Sequence, residues 1–209
     1  MKQDLLFGYG SLMSHDSRLT HSDIDEEVVP VSVDGWYRGW SMSSSTEYLT
    51  CVGAKPGTGA CGNSSMNGVL VPIDEISEDL RQREQHYRFV EVDKTAIKSW
   101  HAAQSKKLAT WLSNATVWIC EVEDWQAPSE TFPVCQTYVD TCLIGCIEQT
   151  DLAFADQFLE LTSGWHHHWV NDRHCPEYPR RASITKTQMA EIDALLAAND
   201  LLKYRKEPQ

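Results

Sequence analysis

The stretch Asp4-Leu5-Leu6-Phe7-Gly8-Tyr9-Gly10-Ser11-Leu12-Met13 decides how this chain is read. Residues 4–9 form a short apolar strand that runs into Gly10-Ser11, where a tight turn is expected. The glycines on either side of Tyr9 let successive backbone N–H groups turn toward one point, a nest that suits an anion. That reading expects Gly10 to take a positive-φ conformation. The same pattern also serves as a plain turn, and it lacks the lysine and the spacing of a phosphate-binding P-loop.

Working outward, the next segments are also extended. Val29, Val31 and Val33 alternate ahead of GWYRGW at 35–40, which predicts strand, a bend at Gly35 and more strand. NGVLVPI at 67–73 is another strand, after which Asp74 or Ser77 caps a short helix within ISEDLRQREQHY at 76–87. Residues 88–92 resume as strand. Residues 114–122 are apolar on both faces, which suits a central strand. The Ser/Thr-rich run 41–46 and the Gly-rich run 53–65 read as loops.

After Pro133 the period changes to helical. A first run contains Tyr138, Cys142, Ile144 and Gly145, and a second carries Leu152, Phe154, Phe158 and Leu161 on one stripe. A last helix over 185–202 has Thr185 and Gln188 at capping-box spacing. Strands come first and helices gather late, so the fold class is α+β.

Composition sets limits on function. Thirty acidic against 18 basic side chains give a formal net charge of −12 over 209 residues, with 42% hydrophobic residues. Such a field repels nucleic acid and anionic lipid, so neither is an expected partner. The length fits one domain spanning 1–209, with a helical C-terminal extension from about residue 150. No run is long enough to span a bilayer, and the start of the chain does not read as a secretory signal. Seven cysteines, with no Cys-x-x-Cys pair, read as reduced thiols in a cytoplasmic protein. Cys142 and Cys146, four apart, read as small apolar helix residues rather than a metal or redox pair.

Glu84 is the second candidate for chemistry, because it stands where a short helix hands over to a strand. A carboxylate there can act as a general base when desolvation raises its pKa. Beside Arg83 it can equally form a solvated ion pair.

Together these pieces resemble the γ-glutamylcyclotransferase-like superfamily, which includes AIG2-like and ChaC-like proteins. The matching segments are FGYGSLM at 7–13, VDGWYRGW at 33–40, NGVLVPI at 67–73 and LRQREQHYRFVEV at 80–92, followed by a helix with Tyr138 seven residues before Gly145. The resemblance implies a curled or barrel-like mixed β-sheet flanked by helices. It further implies that Glu84 is the acid/base, that Gly8, Tyr9, Gly10, Ser11 and Leu12 form the substrate-binding loop, and that Tyr138 contacts substrate. The implied reaction closes a γ-glutamyl group of a small-molecule substrate to 5-oxoproline and releases an amine, amino acid or peptide. Ring closure of this kind requires no cofactor, metal or enzyme nucleophile.

The region 163–181, SGWHHHWVNDRHCPEYPRR, matches none of those segments. His166, His168, His174 and Cys175 are metal-capable, so a metal-dependent hydrolase is a rival reading. Arg173, Arg180 or Arg181 could instead pair with a substrate carboxylate. Trp36, Trp40, Trp165 and Trp169 read as core. A non-catalytic binder with the same fold is the other alternative. Oligomeric state and the released group are not legible.

Overall fold

The computed structural model describes residues 3–59, 62 and 64–207. The chain begins with β1 (Gln3–Gly8), a single 3-10 turn (Ser11–Met13) and α1 (His15–Ser22). Four strands follow, β2 (Val29–Asp34), β3 (Trp36–Ser44), β4 (Leu49–Pro56) and β5 (Ser65–Ile73). Then come α2 (Glu78–Arg83), β6 (Tyr87–Glu91), β7 (Ile97–Ser99), α3 (Ser105–Asn114) and β8 (Ala115–Val122). The last third holds β9 (Val134–Cys135), α4 (Gln136–Gln149), α5 (Leu152–Glu160), β10 (Thr162–Ser163), β11 (Trp169–Val170), α6 (Lys186–Ala198) and β12 (Arg205–Lys206).

Among the described residues nine strands form one mixed sheet in the order β10-β3-β4-β8-β1-β5-β2-β7, with β6 joined to β8. The expected α+β class, a large mixed sheet flanked by helices, is therefore observed. β8 organises it. Residues 115–119 of β8 pair in parallel with β1, and residues 118–122 pair antiparallel with β6. β4 joins β8 only at Ala54 and Glu121, beyond the end of β1. Since β6 already occupies one edge of β8 at Glu121, β4 must take over the edge that β1 leaves. The sheet therefore splays where β1 ends, and the glycine loop emerges into that divergence.

Both faces of β8 are covered, in keeping with its apolar sequence: Val117, Ile119 and Val122 are buried, as are Leu5, Leu6 and Phe7 of β1 beside it. Each such side chain contributes about 1.5–3 kcal/mol on burial. The four tryptophans assigned to the core are all buried, and Trp40 meets Trp165 edge to face with ring centroids 5.0 Å apart. Cys142 and Cys146 are fully buried free thiols, with Cys146 Sγ 3.7 Å from Met13 Sδ. No helix among the described residues is long and apolar enough to cross a membrane.

Two loop assignments are corrected. Residues 41–44 of the Ser/Thr-rich run continue β3, with a bulge between Trp40 and Met42 where Ser41 is the extra residue. Ser41 is buried, and its hydroxyl donates to the Gly39 carbonyl at 3.1 Å, so a polar sequence is accommodated inside the sheet. Residues 53–56 of the Gly-rich run belong to β4. Gly53 serves close packing there: a Cβ would stand 2.5 Å from Ser41 Oγ and 2.7 Å from Val122 Cγ1. Ala60, Cys61 and Asn63 of that run lie outside the described residues. The bend at Gly35 is present, at φ +78°.

The helix over 105–114 was not expected, although Leu108, Trp111 and Leu112 show i, i+3, i+4 spacing. Of the two proposed caps for α2, Ser77 is the one used, accepting from the Leu80 N–H at 3.2 Å. The capping box at Thr185 and Gln188 forms as expected, and α6 ends at Ala198, four residues short of the expected end.

Candidate functional site

The order of the strands brings the two sequence candidates to one place. β1 ends at Gly8, with Phe7 opposite Ile119 of β8, while β6 begins at Tyr87 opposite Val122 of the same strand. The exit of β1 and the entry to β6 thus lie at the same end of β8. Glu84 caps α2 three residues before β6: its N–H donates to the Leu80 carbonyl at 3.0 Å, and its carbonyl accepts from the Tyr87 N–H at 2.9 Å. Backbone bonds on both sides therefore fix where the carboxylate projects.

Glu84 lines two adjoining cavities. The inner one, about 40 Å³, is walled by Phe7 to Leu12, Val52, Tyr87, Cys120 and Tyr138. The outer one, about 360 Å³, is lined by residues including Met42, Glu47, Cys51, Tyr178 and Arg180. Ser11, Glu84, Tyr87 and Tyr138 belong to both and mark the junction. All seven sequence candidates, Gly8, Tyr9, Gly10, Ser11, Leu12, Glu84 and Tyr138, are thereby gathered around one space.

Close packing, rather than a positive φ, is what requires the glycines. Gly10 has φ −137°, so the positive-φ expectation is wrong. A Cβ on Gly10 would stand 2.7 Å from Tyr138 Oη and 2.9 Å from Val52 Cγ2, and one on Gly8 would stand 2.8 Å from Leu12 Cβ. The loop needs glycine because β4 and α4 press against it. The 3-10 turn then closes with Met13 N–H to the Gly10 carbonyl at 3.0 Å and Ser14 N–H to the Ser11 carbonyl at 3.1 Å. The N–H groups of Ser11 and Leu12 precede its first internal bond.

Tyr138 reaches the junction from the first turn of α4. Gly145, two helical turns on, lies against the loop backbone, where a Cβ would be 2.4 Å from Ser14 N. The spacing of Tyr138 and Gly145 is thus the distance between two contacts of one helix with one loop. The Tyr138 ring is held between Trp40, at 5.6 Å, and Tyr178, at 4.5 Å between centroids.

Three phenols at the inner cavity and one thiol of the outer cavity are held in their neutral forms by burial. Burial pushes the phenols of Tyr9, Tyr87 and Tyr138 well above the ordinary tyrosine range, and pushes the Cys51 thiol up to about 12. The Tyr9 hydroxyl donates to the Cys120 carbonyl, and that of Tyr87 to the Val52 carbonyl at 2.8 Å. Glu84 is the carboxylate that lines both cavities.

The 163–181 region divides by function. Arg173 is structural: Nε and Nη2 donate to Asp140 at 2.8 and 2.7 Å, and Nη1 donates to Asp193 at 2.9 Å. Arg181 lies outside both cavities, and only Arg180 of the three arginines lines the outer one. His166, His168, His174 and Cys175 are not assembled: no group of three or more His, Cys, Asp or Glu among the described residues is placed to hold a metal. Sequence reasoning missed Glu47 and Tyr178 altogether. Glu47 sits in a polar hairpin tip and Tyr178 in an irregular segment, and neither context carries a periodic signal.

No family model matches the chain, and no curated protein matches it. Solved structures do. A γ-glutamyl cyclotransferase superposes with a TM-score of 0.55 at 12% identity, covering 92% of this chain and 99% of that one. An uncharacterised human protein gives 0.54 at 12% identity with the same coverages. YkqA of Bacillus subtilis gives 0.52 at 14% identity over 76% of this chain and 54% of its own. At such identities the likeness is one of architecture, and with the sheet and helices described above it leads to one conclusion: this chain has the γ-glutamylcyclotransferase-like fold.

Proposed function

We propose that the protein is a γ-glutamylcyclotransferase, converting a γ-glutamyl compound to 5-oxoproline with release of the amine it carried. The observation that carries this reading is the position of Glu84, shared between the glycine-loop cavity and the larger outer one. The fold likeness supports it independently.

The substrate brings its own nucleophile. Its α-amine attacks its γ-carbonyl, one C–N bond forms to close the five-membered ring, and the original amide C–N bond breaks. Glu84 accepts a proton from the α-amine and returns one to the departing nitrogen, so protons balance without an external reactant. Holding the chain folded with amine and carbonyl in contact supplies about 7–11 kcal/mol of the barrier. The proton relay adds about 10²–10⁴-fold. The Ser11 and Leu12 N–H groups, ahead of the first bond of the 3-10 turn, receive the α-carboxylate, and Tyr138 closes the wall beside them.

The test is incubation with a panel of γ-glutamyl amino acids, peptides and amines, with 5-oxoproline followed by mass spectrometry. Formation of 5-oxoproline from at least one member supports the reading. Binding of panel members without any product would assign the protein to the non-catalytic alternative.

A further inference from the structure

We infer that Arg180, held in place by Glu47, reads a free carboxylate on the released half of the substrate, so the protein acts on γ-glutamyl amino acids or peptides in preference to γ-glutamylamines. The inference rests on the cyclotransferase reading and extends it to the outer cavity. Ring closure brings the α-amine and γ-carbonyl together at Glu84, so the group leaving from that carbonyl extends away from the glycine loop. The outer cavity, about 360 Å³, lies in that direction, and Gly8 and Gly10 do not line it.

Arg180 is the single Lys or Arg among the described residues lining that cavity. In a chain of net charge −12 an anionic group is repelled at long range, and a local cation offsets that repulsion. The guanidinium is well placed for this. Its Nη1 donates to Glu47 Oε1 at 2.6 Å, its Cζ lies 5.4 Å from the Tyr178 ring centroid, and its own carbonyl accepts from the Ser17 hydroxyl at 2.8 Å. One of its five donors is thus used on Glu47, and among the described residues Nε has no acceptor. A quarter of the side chain remains accessible, against 17% for Glu47. Glu47 is neutralised by this contact and orients the guanidinium, while Arg180 retains N–H groups for a second carboxylate.

The experiment compares γ-glutamyl-alanine with γ-glutamyl-alaninamide, which differ only in that carboxylate. Both binding, by calorimetry, and 5-oxoproline release are measured for the parent, Arg180→Met, Arg180→Lys and the double variant Arg180→Met/Glu47→Gln. The double variant removes both charges, so the comparison survives if an unpaired Glu47 unfolds the single one. The parent should favour the acid by about tenfold or more, expressed mainly in KM and Kd. Arg180→Met and the double variant should bring that ratio to within about twofold of unity, with Arg180→Lys intermediate. An acid-to-amide ratio near unity in the parent, or one unchanged in both methionine variants, overturns the role of Arg180. With 5-oxoproline still formed, such a result leaves the cyclotransferase reading standing. If both compounds bind with the expected ratio but neither is turned over, the cyclotransferase reading falls and Arg180 keeps its role. Failure of γ-glutamyl-alanine to bind the parent overturns the role of Arg180, and the panel of γ-glutamyl compounds then decides the cyclotransferase reading separately.

Discussion

Glu84 and Gly10 carry the sharpest expectations because each acts through a few named atoms. Glu84→Gln preserves shape and the backbone bonds of the α2 cap but cannot relay a proton. It should lower kcat by about 10² or more while leaving the melting temperature within a few degrees of the parent. Gly10→Ala acts differently, since its Cβ would press on Tyr138 Oη and Val52 Cγ2. A cost of about 1–3 kcal/mol is expected from overpacking, with weakened ligand binding as the loop moves off α4. Thermal melts with titration of 5-oxoproline check both effects, and unchanged stability and affinity would mean that the tight contact is not needed. The sequence made Gly10 conspicuous but suggested the wrong reason. What demands glycine here is the approach of Tyr138 from 128 residues further along the chain, and no local pattern reports that.

Among the elements, α4 is the one on which the site depends most. Its first turn is tied to the irregular segment by Asp172, which accepts from the Thr137 N–H and the Glu177 N–H, both at 2.8 Å. Arg173 joins Asp140 of α4 to Asp193 of α6, and Arg205 donates to Asp193 at 2.8 Å. Arg173→Met leaves Asp140 buried without its cation and should cost about 3–5 kcal/mol, readable in denaturant melts. Asp193 gives a pH signature. Burial opposes its ionisation, yet hydrogen bonds from Arg173 and Arg205 hold its carboxyl below the usual range. A depressed folded pKa contributes stability above the ordinary carboxylate value of about 3.9, and that stability is lost as pH falls through the folded value. The melting deficit of Asp193→Asn should therefore be largest near neutrality and shrink in acid. A deficit that stays constant down to about pH 3 would contradict this linkage. The strands and late helices were legible from their periods, and so was the capping box at Thr185. The continuation of β3 through 41–44 was not, because its serines find hydrogen bonds within the sheet that their polarity does not advertise.

For the molecule as a whole, the site arises from the way β1 and β4 share one edge of β8. β1 leaves at Gly8, β4 pairs further along at Ala54 and Glu121, and the divergence is filled by the loop, α4 and Glu84. Short segments in order were enough to bring seven candidate residues to one space, because they are the points where strands end and helices begin. The outer cavity was largely illegible: Glu47 comes from a hairpin tip and Arg180 from an irregular stretch, and only the tertiary fold makes them partners. The most direct measurement of the central claim is the rate of 5-oxoproline release from a γ-glutamyl compound that binds both the parent and Glu84→Gln. The account predicts product from the parent and a rate at least about 10² lower from the variant at equal occupancy. Equal rates from the two proteins would contradict it.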